Sequence, residues 1–174
     1  MRTLVLGMGN PILCDDAVGI RLARDFRFRL QAASNENASG SGLDVDIIAD
    51  CSVGGLNLLD LVLGYDRLIV FDSIRMPGAA PGDWIGMTGA TFRETMNLNC
   101  VHDANFTTAL ELGRLTGATV PEPENVHIFA VEIADNTTFS EDMTPEVQEA
   151  YPEFSREIIN EALTILGIPT RPGE

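Results

Sequence analysis

Two carboxylates and one imidazole stand where this chain can do chemistry. Asp16 lies in the loop that follows the apolar run Leu4-Val5-Leu6 and the turn Gly7-x-Gly9-Asn10. Asp72 follows directly on Leu68-Ile69-Val70-Phe71, and His102 immediately precedes an amphipathic stretch at residues 103–115. Two carboxylates and an imidazole form a donor set for a divalent transition metal, with positions left for water or substrate. They come from three distant segments, so the fold rather than a local spacing must unite them. A structural role competes for each. Asp15 and Asp16 can cap the helix they open, Asp72 can bond a neighbouring turn, and His102 can serve the start of the next helix. One cap is enough for a helix end, however, and a charge straight after a buried run stands where active-site groups often sit.

Other candidates carry less. Asp50 precedes Cys51-Ser52-Val53-Gly54-Gly55, and its carboxylate can assist the site or bond the loop amides. His127 sits within an apolar strand and reads as a structural histidine. Cys14, Cys51 and Cys100 each neighbour a candidate acid or imidazole. Soft thiolate ligation is conceivable for them, and small buried thiols are the simpler account. Cys100 and His102 are two residues apart in a loop, which does not force a thiol–imidazole pair together. The Gly-x-Gly turn invites a dinucleotide reading, but Ile12 occupies the third glycine position of that fingerprint, and two aspartates at the helix start would repel a pyrophosphate. A P-loop and a Gly-x-Ser-x-Gly elbow are both missing. No nucleotide cofactor is expected.

The elements that position these residues follow from the apolar pattern. Residues 2–6 predict a short buried strand. Residues 15–30 predict a helix, with Val18, Leu22, Phe26 and Leu30 on one side. Residues 32–42 are small and polar and predict a mobile loop. Residues 43–49 alternate as a strand, residues 54–63 give a short helix, and residues 67–71 form the clearest buried strand, ending at Asp72. A long irregular stretch at 73–101 contains a candidate edge strand at 84–87. Residues 103–115 are helical, 125–133 form another buried strand, and 144–166 form a terminal helix with an irregularity at Pro152. Residues 1–168 read as a single domain and 169–174 as a tail. Alternating strands and helices predict an α/β sandwich, with helices on both faces of a largely parallel sheet. In such sheets ligands sit at the carboxyl ends of the strands, the edge to which Asp16, Asp72 and His102 all belong.

Composition narrows the partners. The 174 residues carry a formal net charge of −15, and all eleven basic residues are arginine. No strongly basic surface is available to neutralise phosphates, which excludes ordinary nucleic-acid binding. Arg21, Arg24, Arg27 and Arg29 crowd the first helix, whereas twelve acids from Glu122 onward face only Arg156 and Arg171. Three widely spaced cysteines do not make a disulfide framework. No apolar run approaches the ~20 residues that span a bilayer, and no signal-peptide pattern opens the chain. The expectation is a cytoplasmic protein without membrane insertion.

Taken in order, these motifs resemble a known family. Gly7-x-Gly9-Asn10, Asp15-Asp16 and Gly19 are similar to the opening of the nickel–iron hydrogenase maturation endopeptidases. The resemblance continues through Asp50, Gly54-Gly55, Leu68-Ile69-Val70-Phe71-Asp72-Ser73, His102-Asp103, Leu110-Glu111-Leu112-Gly113 and Gly117. It implies a three-layer α/β/α sandwich around a five-stranded mixed, mostly parallel sheet, with residues 84–87 as the antiparallel strand. It implies an endopeptidase that removes the C-terminal extension of a hydrogenase large-subunit precursor after nickel insertion. The metal-binding trio it implies is Asp16, Asp72 and His102, gripping nickel supplied by the precursor. The first acid is often glutamate in that family and is aspartate here, an arm shorter by roughly one C–C bond. A processing enzyme for another metalloprotein, or a non-catalytic metal-sensing chaperone, are the alternative functions.

Overall fold

The computed structural model describes residues 1–36, 42–53, 57–94 and 103–170. Strand β1 (Arg2–Met8) leads through a 3-10 turn (Cys14–Ala17) into helix α1 (Val18–Glu36). Strand β2 (Asp44–Cys51), helix α2 (Asn57–Val62), strands β3 (Arg67–Ile74) and β4 (Trp84–Thr88), and helices α3 (Gly89–Glu94) and α4 (Asp103–Leu115) follow. Strand β5 (Val126–Glu132) and helix α5 (Pro145–Ile165) complete the chain. The sheet order is β2-β1-β3-β5-β4. Every neighbouring pair is parallel except β4 with β5. This is the expected five-stranded mixed sheet, with residues 84–88 as its antiparallel edge.

Alternation along the buried strands builds two cores. Val5, Ile69, Phe71, Phe129 and Val131 face one side, where Val18, Leu22 and Phe26 of α1 meet Phe154, Ile158 and Ala162 of α5. Phe71 lies 5.7 Å from Phe26 and 5.8 Å from Phe129 between ring centroids. Each of these fully buried rings contributes about 2–3 kcal/mol of hydrophobic stabilisation. Leu4, Leu6, Leu68, Val70, Val126 and Ile128 face the other side, against Leu58 and Val62 of α2 and Leu110 of α4. Because the period is two, each step along a strand changes face, which fixes where the polar residues at the strand ends point.

Three sequence expectations change. Helix α1 runs to Glu36, so residues 32–36 are helical rather than part of a loop. Ala33 packs against the core and the Ser34 hydroxyl folds back onto the Leu30 carbonyl. Strand β3 continues past Asp72 to Ile74, because β5 keeps pairing with it as far as Ile74↔Glu132, whereas pairing with β1 stops at Gly7↔Phe71. The stretch after β3 holds the short helix α3, which its weak period did not reveal. Helix α5 continues through Pro152. Pro152 and Gln148 are both exposed residues, and the amide that the proline lacks removes the one i→i−4 hydrogen bond between them. Among the described residues no helix is long and apolar enough to cross a membrane.

Candidate functional site

The site is built where β1 and β3 part company. Past Gly7↔Phe71, β3 projects beyond its β1 neighbour while still held by β5, and the chain leaving β1 coils into that space. Gly9 makes the coil possible. Its φ is +133°, and a Cβ there would lie 1.9 Å from the Asp16 carbonyl oxygen. Leu13 N donates to Asn10 O at 3.2 Å and Asp16 N to Leu13 O at 3.0 Å, closing two successive turns. Gly19 then lets α1 sit directly on the strand ends, since a Cβ there would meet Phe71 O at 2.3 Å and Met8 O at 2.4 Å.

The two adjacent aspartates take opposite roles. Asp15 is fully buried. Its carboxylate accepts the backbone N–H groups of Ala134 and Asp135 at 3.0 Å each, Thr144 N at 2.6 Å and the Thr144 hydroxyl at 2.9 Å. It ties the end of β5 to the start of α5. Asp16 is half-buried and turned towards β3. Its Oδ2 accepts Asn10 N at 2.8 Å and its Oδ1 accepts the Ser73 hydroxyl at 2.8 Å. Among the described residues, the partners of both carboxylates lie outside α1.

Ser73 also donates its backbone N–H to Asp72 Oδ1 at 2.8 Å. One residue therefore holds both predicted carboxylates. Strand alternation explains how. Residue 73 continues the Ile69 and Phe71 face and reaches Asp16 beneath α1, while residue 72 continues the Leu68 and Val70 face that carries α2 and α4. Sequence reasoning did not single out Ser73. The readable signal was an Asp-Ser pair at the end of a buried strand, where period two sends the two side chains to opposite faces.

The remaining candidates divide clearly. Asp50, the penultimate residue of β2, is exposed and pairs with Arg24 at 2.7 Å, rather than with loop amides. His127 is half-buried in β5, and burial together with Arg67 pushes its pKa down, as suits a neutral structural imidazole. Cys14 and Cys51 are buried, free thiols. Burial pushes both thiols up, with Asp15 adding to the effect at Cys14 and Asp72 at Cys51, so both stay protonated near neutral pH. His102, Cys100 and Gly54-Gly55 lie outside the described residues. Among the described residues, no group of three or more His, Cys, Asp or Glu stands ready to hold a metal. Asp16 and Asp72 are carboxylates, the oxygen-donor type that a borderline divalent cation accepts.

Comparison with known proteins agrees with this architecture. The family model described as hydrogenase maturation protease matches residues 30–161. Hydrogenase expression/formation protein HupD of Rhizobium leguminosarum bv. viciae is 36% identical over 81 residues, 47% of this chain and 35% of that protein. The hydrogenase 2 maturation protease of Escherichia coli is 34% identical over 82 residues, 47% of this chain and 44% of that protein. The matches thus span less than half the length of these relatives. Among solved structures, hydrogenase maturating endopeptidase HybD of Escherichia coli superimposes with a TM-score of 0.68 at 27% identity, covering 94% of this chain and 93% of that one. The [NiFe] hydrogenase maturation protease HybD of Thermococcus kodakarensis shares the fold, with a TM-score of 0.65 at 17% identity over 95% and 99% of the two chains.

Proposed function

The chain belongs to the hydrogenase maturation protease family, and from that premise we propose that it is a cytoplasmic endopeptidase removing the C-terminal extension of a nickel-loaded hydrogenase large-subunit precursor. Asp16, Asp72 and His102 grip the nickel, which arrives with the substrate rather than residing in the enzyme. A precursor without nickel offers them nothing to hold, so the metal acts as a checkpoint. The observation that carries this reading is the shared grip of Ser73 on Asp16 and Asp72. It presents two carboxylates together at the carboxyl edge of the sheet, one from each face. His102 directly precedes Asp103, the first residue of α4, which packs on the face to which Asp72 belongs. Nickel so held would supply a Lewis acid beside the scissile peptide. Hydrolysis adds the oxygen of a water to the peptide carbonyl carbon as the C–N bond breaks, and the departing amine takes a proton.

The test is intact-mass spectrometry of the precursor, with and without nickel, after incubation with the protein. Loss of the extension from the nickel-loaded form alone is the expected result. Cleavage regardless of nickel would remove the checkpoint. Binding of the nickel-loaded form with an intact C-terminus would make the protein a metal-sensing chaperone, and cleavage of a different metalloprotein instead would reassign the substrate. His102→Ala is expected to abolish processing without changing the melting temperature.

A further inference from the structure

Two loops flank the site, and they carry an apolar surface that the fold does not use. Ser140 N donates to Ile12 O at 3.0 Å, and Cys14 N to Ser140 O at 2.8 Å. These bonds form a single parallel bridge between Leu13 and Ser140. The residues just before the bridged pair are Ile12, 48% exposed, and Phe139, 79% exposed. Bridged segments lie about 4.8 Å apart, so the two apolar side chains stem from adjacent backbone. A loose loop would explain an exposed ring, but this loop is braced along its length. Asp15 holds Ala134 and Asp135. Asp135 accepts the N–H groups of Thr137 and Thr138, and Ser140 exchanges hydrogen bonds with Asp142. Arg21 binds the Glu141 carbonyl.

We propose that Ile12 and Phe139 form the docking surface for the substrate polypeptide beside its cleavage point, taking a segment that is apolar at the contact and basic at its flank. This rests on the reading of the chain as a processing protease. Two observations select that occupant. Ile12 belongs to the coil that positions Asp16, since Ile12 N donates to Asn10 Oδ1 and Asn10 N to Asp16; a chain lying on Ile12 is at the site. The surroundings are acidic, with Asp135, Glu141 and Asp142 on the same loop, and Thr137 and Thr138 hold the Asp135 carboxyl well below the usual range and so ionised. An aromatic anchor inside a charged rim is the common anatomy of a recognition surface. Rigid presentation removes the ordering cost that a mobile loop would add to binding.

The experiment is steady-state cleavage of the nickel-loaded precursor by Ile12→Ser, Phe139→Ser and the double variant. Exposed Phe28→Ser and Leu115→Ser serve as controls away from the site. KM is expected to rise about 10- to 30-fold in the double variant, with kcat within about twofold and the controls unchanged. Glu141→Lys with Asp142→Lys is expected to raise KM and flatten its salt dependence. An unchanged KM in the double variant overturns the proposal. So does a wild-type dimer that Phe139→Ser converts to a monomer in sedimentation, which would assign the surface to a second copy of this chain. Circular dichroism checks folding, and Phe139→Lys alone gives the same reading if the double variant melts. Should the wild type not cleave, the processing reading fails. Precursor binding to Asp16→Asn, with and without Phe139→Ser, then still decides the docking surface.

Discussion

The hydroxyl of Ser73 donates to the Asp16 carboxylate at 2.8 Å across 57 residues of chain. It joins the end of the third strand to the loop after the first. The same residue's amide holds Asp72, so one residue of β3 contacts both carboxylates. The shorter arm of an aspartate at position 16 thereby gains a fixed partner on the strand it faces.

Removing that partner tests the arrangement. Ser73→Ala leaves Asp16 oriented by Asn10 N alone. Loss of one part-buried hydrogen bond to a carboxylate is expected to lower stability by about 1–2 kcal/mol. Processing is expected to fall about 10-fold or more, as when outer-shell partners of ligands are lost. Ser73→Thr keeps the hydroxyl and is expected to recover most of the rate. Urea unfolding and precursor cleavage kinetics read the two effects separately.

The neighbouring aspartates provide a second test, because one serves the fold and the other the site. Asp15→Ala strands three backbone amides and the Thr144 hydroxyl at the junction of β5 and α5, and also removes the acceptor of the Cys14 thiol. It is expected to cost about 3 kcal/mol or more. Asp16→Ala frees one hydroxyl and one amide at a half-buried position, with an expected cost of about 1 kcal/mol and complete loss of processing. Equal destabilisation by the two substitutions would contradict the division of roles.

Much of this arrangement is visible in the sequence, and the reasons are physical. The apolar runs around Val5, Ile69 and Phe129 have only one stable disposal, a sheet buried on both faces. The turn glycines mark where the first strand must end. Asp16 and Asp72 emerge from that topology. The extension of β3 beyond Asp72 was not visible, because it depends on β5 continuing alongside, a pairing between residues far apart in the chain. Asp15 and Asp16 look alike in sequence for the same reason. Their partners at Ala134, Thr144 and Ser73 are brought in by the tertiary fold alone.

Alkaline pH provides the third test. The Cys51 thiol, whose ordinary pKa is 9.0, is pushed up first by burial and then by Asp72. Tyr151, ordinarily 10.0, is pushed up by burial and by donating to Asp25 at 2.8 Å. In both, the folded state holds its proton more tightly than the unfolded chain. Their contribution is therefore complete below the unfolded values and is lost as pH rises through the folded ones. The denaturation midpoint is expected to hold between pH 7 and 8 and to fall above about pH 9. Tyr151→Phe is expected to flatten part of that decline. Both described thiols should resist labelling at pH 8 until the protein unfolds, and Cys51→Ser should keep processing activity.

The turn that opens the site gives the fourth test. Gly9→Ala meets two separate obstacles: a φ of +133° that an L-residue rarely adopts, and a Cβ 1.9 Å from the Asp16 carbonyl oxygen. Gly64 isolates the first, with a φ of +80° and open space around it. Gly64→Ala is expected to cost about 1 kcal/mol and to leave processing intact. Gly9→Ala is expected to cost about 2–4 kcal/mol. Because the collision is with backbone, the coil must shift to relieve it, and Asn10 N moves with the coil. Processing should therefore fail even at temperatures where circular dichroism shows the variant folded. If Gly9→Ala instead behaves like Gly64→Ala in both measurements, the coil is not what fixes Asp16.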